Sequence, residues 1–154
     1  MHSQSAQQPP IGVAIAGLGF GEAVHLPALQ ANPGLKPVAL WHPRQERLDQ
    51  ACTSHGLKGF TEWDAVLSDP AVDAVIITTP PAPRHDLARR ALEAGKHLLL
   101  EKPVALHADQ VADLQRLAVQ KRLSVAVDFE YRAVPLFMQA ARLLQAGAIG
   151  TPWL

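Results

Sequence analysis

Five runs of consecutive apolar residues punctuate the chain: Ile11–Ala16, Pro37–Trp41, Ala74–Ile77, His97–Leu100 and Leu123–Val127. The clearest of them do not alternate apolar with polar. Val13, Ala14, Ile15 and Ala16 follow one another, as do Ala74, Val75, Ile76 and Ile77. A strand buried on both faces reads this way, because helices cover each side of a parallel sheet. A short run at Lys58–Phe60 predicts a further strand. Between the runs the period becomes helical. Leu48, Ala51, Cys52 and His55 fall at i, i+3, i+4 and i+7, a stripe that turns Cys52 inward, buried and inert. Leu87, Ala88, Ala91 and Leu92 line one face of the next clear helix, with Arg89, Arg90 and Glu93 on the other. Pro83 suits its first turn and Gly95 its left-handed exit. Thr61 followed by Asp64 has the spacing of a capping box. Val111, Leu114, Leu117 and Ala118 mark another helix, and Val134 to Leu144 a last one. This alternation predicts an α/β fold, a doubly wound parallel sheet with helices on both faces and right-handed crossovers.

Composition narrows the class. The chain has 154 residues, 48% hydrophobic, enough apolar content to exclude wholesale disorder and a length that suits one compact unit. Fourteen basic residues balance fourteen acidic ones, so the charge carries no footprint of a nucleic-acid binder. A single Cys makes neither an internal disulfide nor a Cys-based zinc site, which favours a reducing compartment. His2, His97 and His107 have no metal partners at recognisable spacing, so no metal is expected. No apolar run approaches the ~18–20 residues of a membrane span. The opening residues MHSQSAQQPP lack the basic start and apolar stretch of a signal peptide. A cytoplasmic protein without nucleic-acid or membrane partners is expected. Residues 1–10 read as a flexible tail, 11–130 as the main domain, and 131–154 as a linking helix and the truncated start of a second domain. Exposure of that apolar last segment would favour homo-oligomers.

Gly17-Leu-Gly-Phe-Gly21-Glu22 follows the first strand directly and opens a helical pattern. At such a turn Gly17 permits the tight bend, Gly19 lets main chain approach a pyrophosphate, and the helix N-terminus at Phe20 and Gly21 offers unpaired N–H groups. The spacing departs from G-x-G-x-x-G: Gly21 falls one residue early and Glu22 takes the third position. A carboxylate ~4 Å from a phosphate charge would cost ~4 kcal/mol at an effective ε of ~20, so Glu22 is expected to turn away from it. Pro27 has no N–H to continue a helix begun at Gly21, which predicts a late start to the regular helix. An acid usually receives the adenosine ribose about 20 residues beyond the loop. Here the second strand ends Trp41-His-Pro-Arg44, with no carboxylate in the turn. His42 and Arg44 suit a 2′-phosphate instead, which favours NADP over NAD.

Two further turns fall at the carboxyl ends of strands, where open parallel sheets bind ligands. One is Thr79-Pro80-Pro81, the other Glu101-Lys102-Pro103 after Ala94-Gly-Lys-His-Leu-Leu-Leu100. A lysine there can hydrogen-bond a substrate hydroxyl, stabilise a developing alkoxide, or shuttle a proton if its pKa is lowered. The stretches VAIAGLGFGEAVHLPAL and ITTPPAPRHDLARRALEAGKHLLLEKPVAL resemble the Gfo/Idh/MocA oxidoreductases, over nearly the whole length from Ile11 to about Gly150. The resemblance implies an N-terminal Rossmann domain holding NADP or NAD, followed by a C-terminal domain that supplies most of a pocket for a small-molecule substrate. It implies Lys102 as the catalytic or substrate-orienting residue, with Glu101 and Pro103 beside it and a Lys–Pro bond that is often cis. It places Thr79 and Pro80 near the nicotinamide, His85 at the following helix start, and His25 either packed or at the cofactor. Asp128-Phe-Glu-Tyr-Arg132 stands where many members carry an Asn-x-Arg segment, and only Arg132 matches. The implied reaction is hydride transfer between a nicotinamide and a sugar, polyol or similar hydroxyl or carbonyl compound. Non-catalytic dinucleotide sensing, an inactive fragment and NAD-dependent glycoside hydrolysis are the other readings.

Overall fold

A computed structural model describes residues 9–151 and 153; residues 1–8 of the expected tail, with 152 and 154, lie outside the described residues. Six strands form one all-parallel sheet: β1 Ile11–Ala16, β2 Leu35–Trp41, β3 Lys58–Phe60, β4 Ala74–Ile77, β5 His97–Glu101 and β6 Val125–Asp128. Their order across the sheet is β3-β2-β1-β4-β5-β6. The chain thus runs outward from β1 in one direction, returns, and runs outward in the other from β4. This is the doubly wound Rossmann arrangement, and its switch point lies between β1 and β4.

The consecutive apolar residues of β1 divide between the two faces. Val13 and Ile15 join Leu26, Leu29, Leu40 and Leu48 on one side. Ala14 and Ala16 join Trp63, Val66, Ile77, Leu87 and Leu92 on the other. The first side is covered by α1 (Leu26–Gln30) and α2 (Gln45–His55), the second by α3 (Trp63–Ser68), α4 (Pro81–Glu93) and α5 (Ala108–Lys121). Strand β2 begins two residues before its apolar run. Pro37, which has no N–H for the ladder, opposes Val13, and the register slips by one residue immediately after it.

One local expectation is met and two are corrected. The regular helix does start late: winding after the glycine turn begins at Gly21 as one wide π-type turn over Gly21–His25, in which the Leu26 N–H reaches back to the Gly21 carbonyl. The regular helix starts at Leu26, which puts Pro27 in its first turn, where the missing N–H costs nothing. Thr61 and Asp64 form no capping box: α3 is preceded by Glu62, without a side-chain cap. The Thr61 carbonyl instead accepts the Trp41 indole N–H at 3.0 Å. Cys52 is only half-buried, packed beside Leu48 and Gly59. Burial and the neighbouring Asp49 push its thiol up, which leaves it a poor nucleophile.

A short 3₁₀ turn, Glu130–Ala133, leads into α6 (Pro135–Gln145), which buries none of its residues. Leu136, Phe137, Leu143 and Leu144 all stand exposed on it. No helix among the described residues is long and apolar enough to cross a membrane.

Candidate functional site

The turns after β1, β2 and β4 enclose a crevice of about 580 Å³ at the switch point. Gly17 forms its floor with φ +103°, and a Cβ there would stand 2.6 Å from Thr78 Oγ1. The Gly17 N–H donates to the Trp41 carbonyl at 3.1 Å, and the Thr78 hydroxyl donates to the Ala16 carbonyl at 3.0 Å. The bend is therefore sewn to both neighbouring strands. Gly21 is packed just as closely: its Cβ would meet Ile15 at 2.6 Å. Gly19, which also lines the crevice, differs, since a Cβ there would meet nothing within 4 Å. Among the described residues the Leu18 and Gly19 N–H groups donate to no protein acceptor. Free main-chain N–H groups at the start of helical winding are what an anionic group needs. Phe20 is exposed, and its ring meets the His25 imidazole edge-on at 5.3 Å. The Glu22 carboxylate is turned toward α2, 3.0 Å from His55 Nε2.

At the end of β2 the crevice is lined by His42, Pro43, Arg44 and Arg47. The Arg44 N–H donates to His42 Nδ1 at 3.1 Å. Arg44 directly precedes α2 and Arg47 lies three residues on, and both line the crevice at this turn.

The far wall is the turn after β4. Thr78, Thr79, Pro80 and Pro83 line it. Thr79 is buried, and its Oγ1 has no partner among the described residues. Beside this turn lies the one after β5, where the Lys102–Pro103 bond is cis. Lys102 is exposed and reaches Glu130 at 3.1 Å; that carboxylate holds its ammonium above the ordinary lysine range. Of the three roles open to this lysine, the proton shuttle by lowered pKa is not favoured by this environment. With Phe129, Glu130, Tyr131 and Arg132, Lys102 also walls a second concavity of about 570 Å³.

Glu101 is not directed into the crevice. Its buried side chain accepts the Lys102 N–H at 3.1 Å and lies 3.3 Å from His25 Nε2. Asp128 stands 3.5 Å from the same nitrogen. Burial, with Glu101 and Glu130 close by, pushes the Asp128 carboxyl up, against the opposing pull of His25. His85 is likewise elsewhere. It pairs with Asp113 of α5 at 3.1 Å, half-buried and away from the crevice lining.

The structure therefore brings Gly17, Gly19, His42, Arg44, Thr79 and Pro80 to one crevice, with Lys102 at the neighbouring turn, while Glu101 and His85 serve other contacts. Arg47, Thr78 and Arg84 were not anticipated. Arg47 was legible as the i+3 neighbour of Arg44. Arg84 shows in the sequence only as a charge out of place on the stripe of α4, four and seven residues before Ala88 and Ala91, with no sign of its partners.

The comparisons with known proteins agree with this geometry. A family model described as an oxidoreductase family with an NAD-binding Rossmann fold, GFO_IDH_MocA, matches residues 11–129. The chain belongs to that family. It is 37% identical over 145 residues to an uncharacterized oxidoreductase, sll0816, of Synechocystis, covering 94% of this chain and 39% of that protein. It is 33% identical to the scyllo-inositol 2-dehydrogenase (NAD(+)) of Bacillus subtilis, over 90% of this chain and 41% of that one. Among solved structures, the 3-ketoreductase KijD10 of Actinomadura kijaniata, in complex with NADP and TDP-benzene, superposes with a TM-score of 0.85 at 30% identity. That match covers 90% of this chain and 43% of KijD10. This Gfo/Idh/MocA chain thus spans about two fifths of the relatives it matches.

Proposed function

We propose that this Gfo/Idh/MocA domain holds NADP across the switch-point crevice and serves an oxidoreductase acting on a sugar, polyol or similar hydroxyl- or carbonyl-bearing small molecule. The observation that carries the reading is the sequence of chemistries along one crevice. His42, Arg44 and Arg47 stand at one end, the free N–H groups of Leu18 and Gly19 in the middle, and Thr79 and Pro80 at the other. Arginines donate bidentately to a 2′-phosphate, main-chain N–H groups donate to a diphosphate, and the orphaned Thr79 hydroxyl suits a carboxamide. The NADP bound by KijD10 supports the choice of cofactor, and a dehydrogenase and a sugar 3-reductase among the relatives support the class of reaction.

The dinucleotide, when bound, supplies the hydride chemistry. The chain's own residues position it and manage charge on the substrate oxygen. Lys102, held as an ammonium by Glu130, donates a hydrogen bond to the hydroxyl or carbonyl oxygen and stabilises negative charge as it develops there. Glu101 fixes the main chain of Lys102 through its N–H. Phe20 and Gly21 complete the glycine turn.

Calorimetric titration of the chain with NADPH and NADH tests the reading. NADPH binding tighter than NADH is the expected outcome. Tighter NADH binding would reverse the cofactor assignment, and no binding of either would remove the crevice's function.

A further inference from the structure

A buried guanidinium sits behind both turns of the site. Arg84 belongs to the first turn of α4 and is 3% exposed. Its Nη1 donates to the Glu101 carbonyl at 2.6 Å and also to the Pro103 carbonyl, and its Nη2 donates to the Thr79 carbonyl. Two of these acceptors flank Lys102 in the chain, and the third is the Thr79 at the crevice wall. No carboxylate of the described residues lies within 4 Å of Arg84.

This is an unfavourable place for a cation unless those carbonyls are what it is for. The N-terminal end of a helix repels positive charge, and removal from water disfavours it further. Burial pushes the guanidinium down from its ordinary value, with nearby Glu101 opposing. The packing of α4 against the sheet does not require it: Leu87, Ala88, Ala91 and Leu92 supply that contact. A forked, planar group with several donors is the side chain that can bridge carbonyls from two strands at once; an ammonium on a flexible stem cannot hold that fork.

From this juxtaposition we infer that Arg84 is a positioning residue, a clamp that sets the turn carrying Lys102 against the Thr79–Pro80 turn and so shapes the nicotinamide end of the crevice. The inference rests on the dinucleotide reading above and deepens it. Among the described residues Arg84 hydrogen-bonds neither the glycine turn nor His42, Arg44 or Arg47, so the adenosine end does not depend on its fork.

That independence supplies the test. The chain and its Arg84→Met and Arg84→Lys variants are titrated with NADPH and with 2′-phospho-ADP-ribose, which is the same molecule without the nicotinamide ring. Arg84→Met is expected to keep its affinity for 2′-phospho-ADP-ribose while losing about tenfold for NADPH, with Arg84→Lys between it and the parent. Retained 2′-phospho-ADP-ribose binding certifies the fold, and where Arg84→Met does not fold, Arg84→Lys decides alone. Unchanged NADPH affinity, or an equal fall for both ligands, overturns the clamp and leaves the dinucleotide reading standing. A parent chain that binds neither ligand overturns both.

Discussion

The glycine turn after β1 and the lysine turn after β5 meet at the same end of the sheet, yet they are made of different material. The first is main chain: Gly17 bends it, Gly21 packs it, and free N–H groups face the crevice. The second is held by side chains, with Arg84 beneath it, Glu101 and His25 at one side and Glu130 on Lys102 itself. A main-chain site is sensitive to added carbon and indifferent to pH. A side-chain site has the opposite sensitivities, because each of its supports carries or borders a charge.

The largest effect that would test this contrast is at Gly17. Gly17→Val adds strain at φ +103° and a clash with Thr78, so it should cost roughly 2–5 kcal/mol in urea unfolding. A loss under 1 kcal/mol would show that the bend is not sterically set. Gly19→Val has free space around its Cβ, so its stability should match the parent while NADPH affinity falls about a hundredfold, ~2.8 kcal/mol. Unimpaired binding by that variant would move the ligand away from the loop. Replacing Arg44 and Arg47 together by Ala should cut the preference for NADPH over NADH about tenfold (~1.4 kcal/mol), measured as a ratio of dissociation constants.

The lysine turn should answer to charge. Glu130→Gln removes the partner that raises Lys102, so the lysine's titration midpoint should fall toward its ordinary value, as read by NMR of its side-chain methylene. A midpoint that stays put would assign the raised value to another group. The sign for stability follows: a raised lysine contributes below its unfolded pKa, and that contribution is lost as pH rises through the folded one. At Asp128 the raised carboxyl works the other way from a salt-bridged aspartate. Stability declines as pH climbs from the ordinary aspartate value of about 3.9 to the raised one. Asp128→Asn should flatten that decline, the smallest effect of the set, visible in denaturation midpoints compared between about pH 4 and pH 7. An unaltered slope would mean that Asp128 does not carry the decline.

The main-chain turn was the more legible of the two in sequence. Glycine has few reasons to recur at alternate positions after a buried strand, and the unbroken apolar runs of β1 and β4 follow from helices on both faces. The strand-end turns were legible through Glu101-Lys102-Pro103 and its family resemblance. Their supports were not. Arg84 lies where the stripe of α4 should be apolar, and only the folded chain shows three carbonyls waiting there. His85 and Glu101 were placed near the cofactor on resemblance, but their partners, Asp113 and His25, lie 28 and 76 residues away in sequence. The wide turn over Gly21–His25 was hidden because Pro27 marks an irregularity without saying which kind. Thr61 misled because Glu62 directly precedes α3, one residue later than the spacing suggests, and what Thr61 supplies is a carbonyl for a tryptophan 20 residues earlier.

That tryptophan has an optical consequence. Trp41 lines the crevice, and Trp63 stands edge-on to it at a ring separation of 5.3 Å. A reduced nicotinamide absorbs in the near-ultraviolet band where indole emits, so occupancy of the crevice should drain the Trp41 signal by energy transfer. Trp153, at 93% exposure, adds a solvent-quenchable background that iodide can subtract. The chain carries its own fluorescent gauge of whether the crevice is filled.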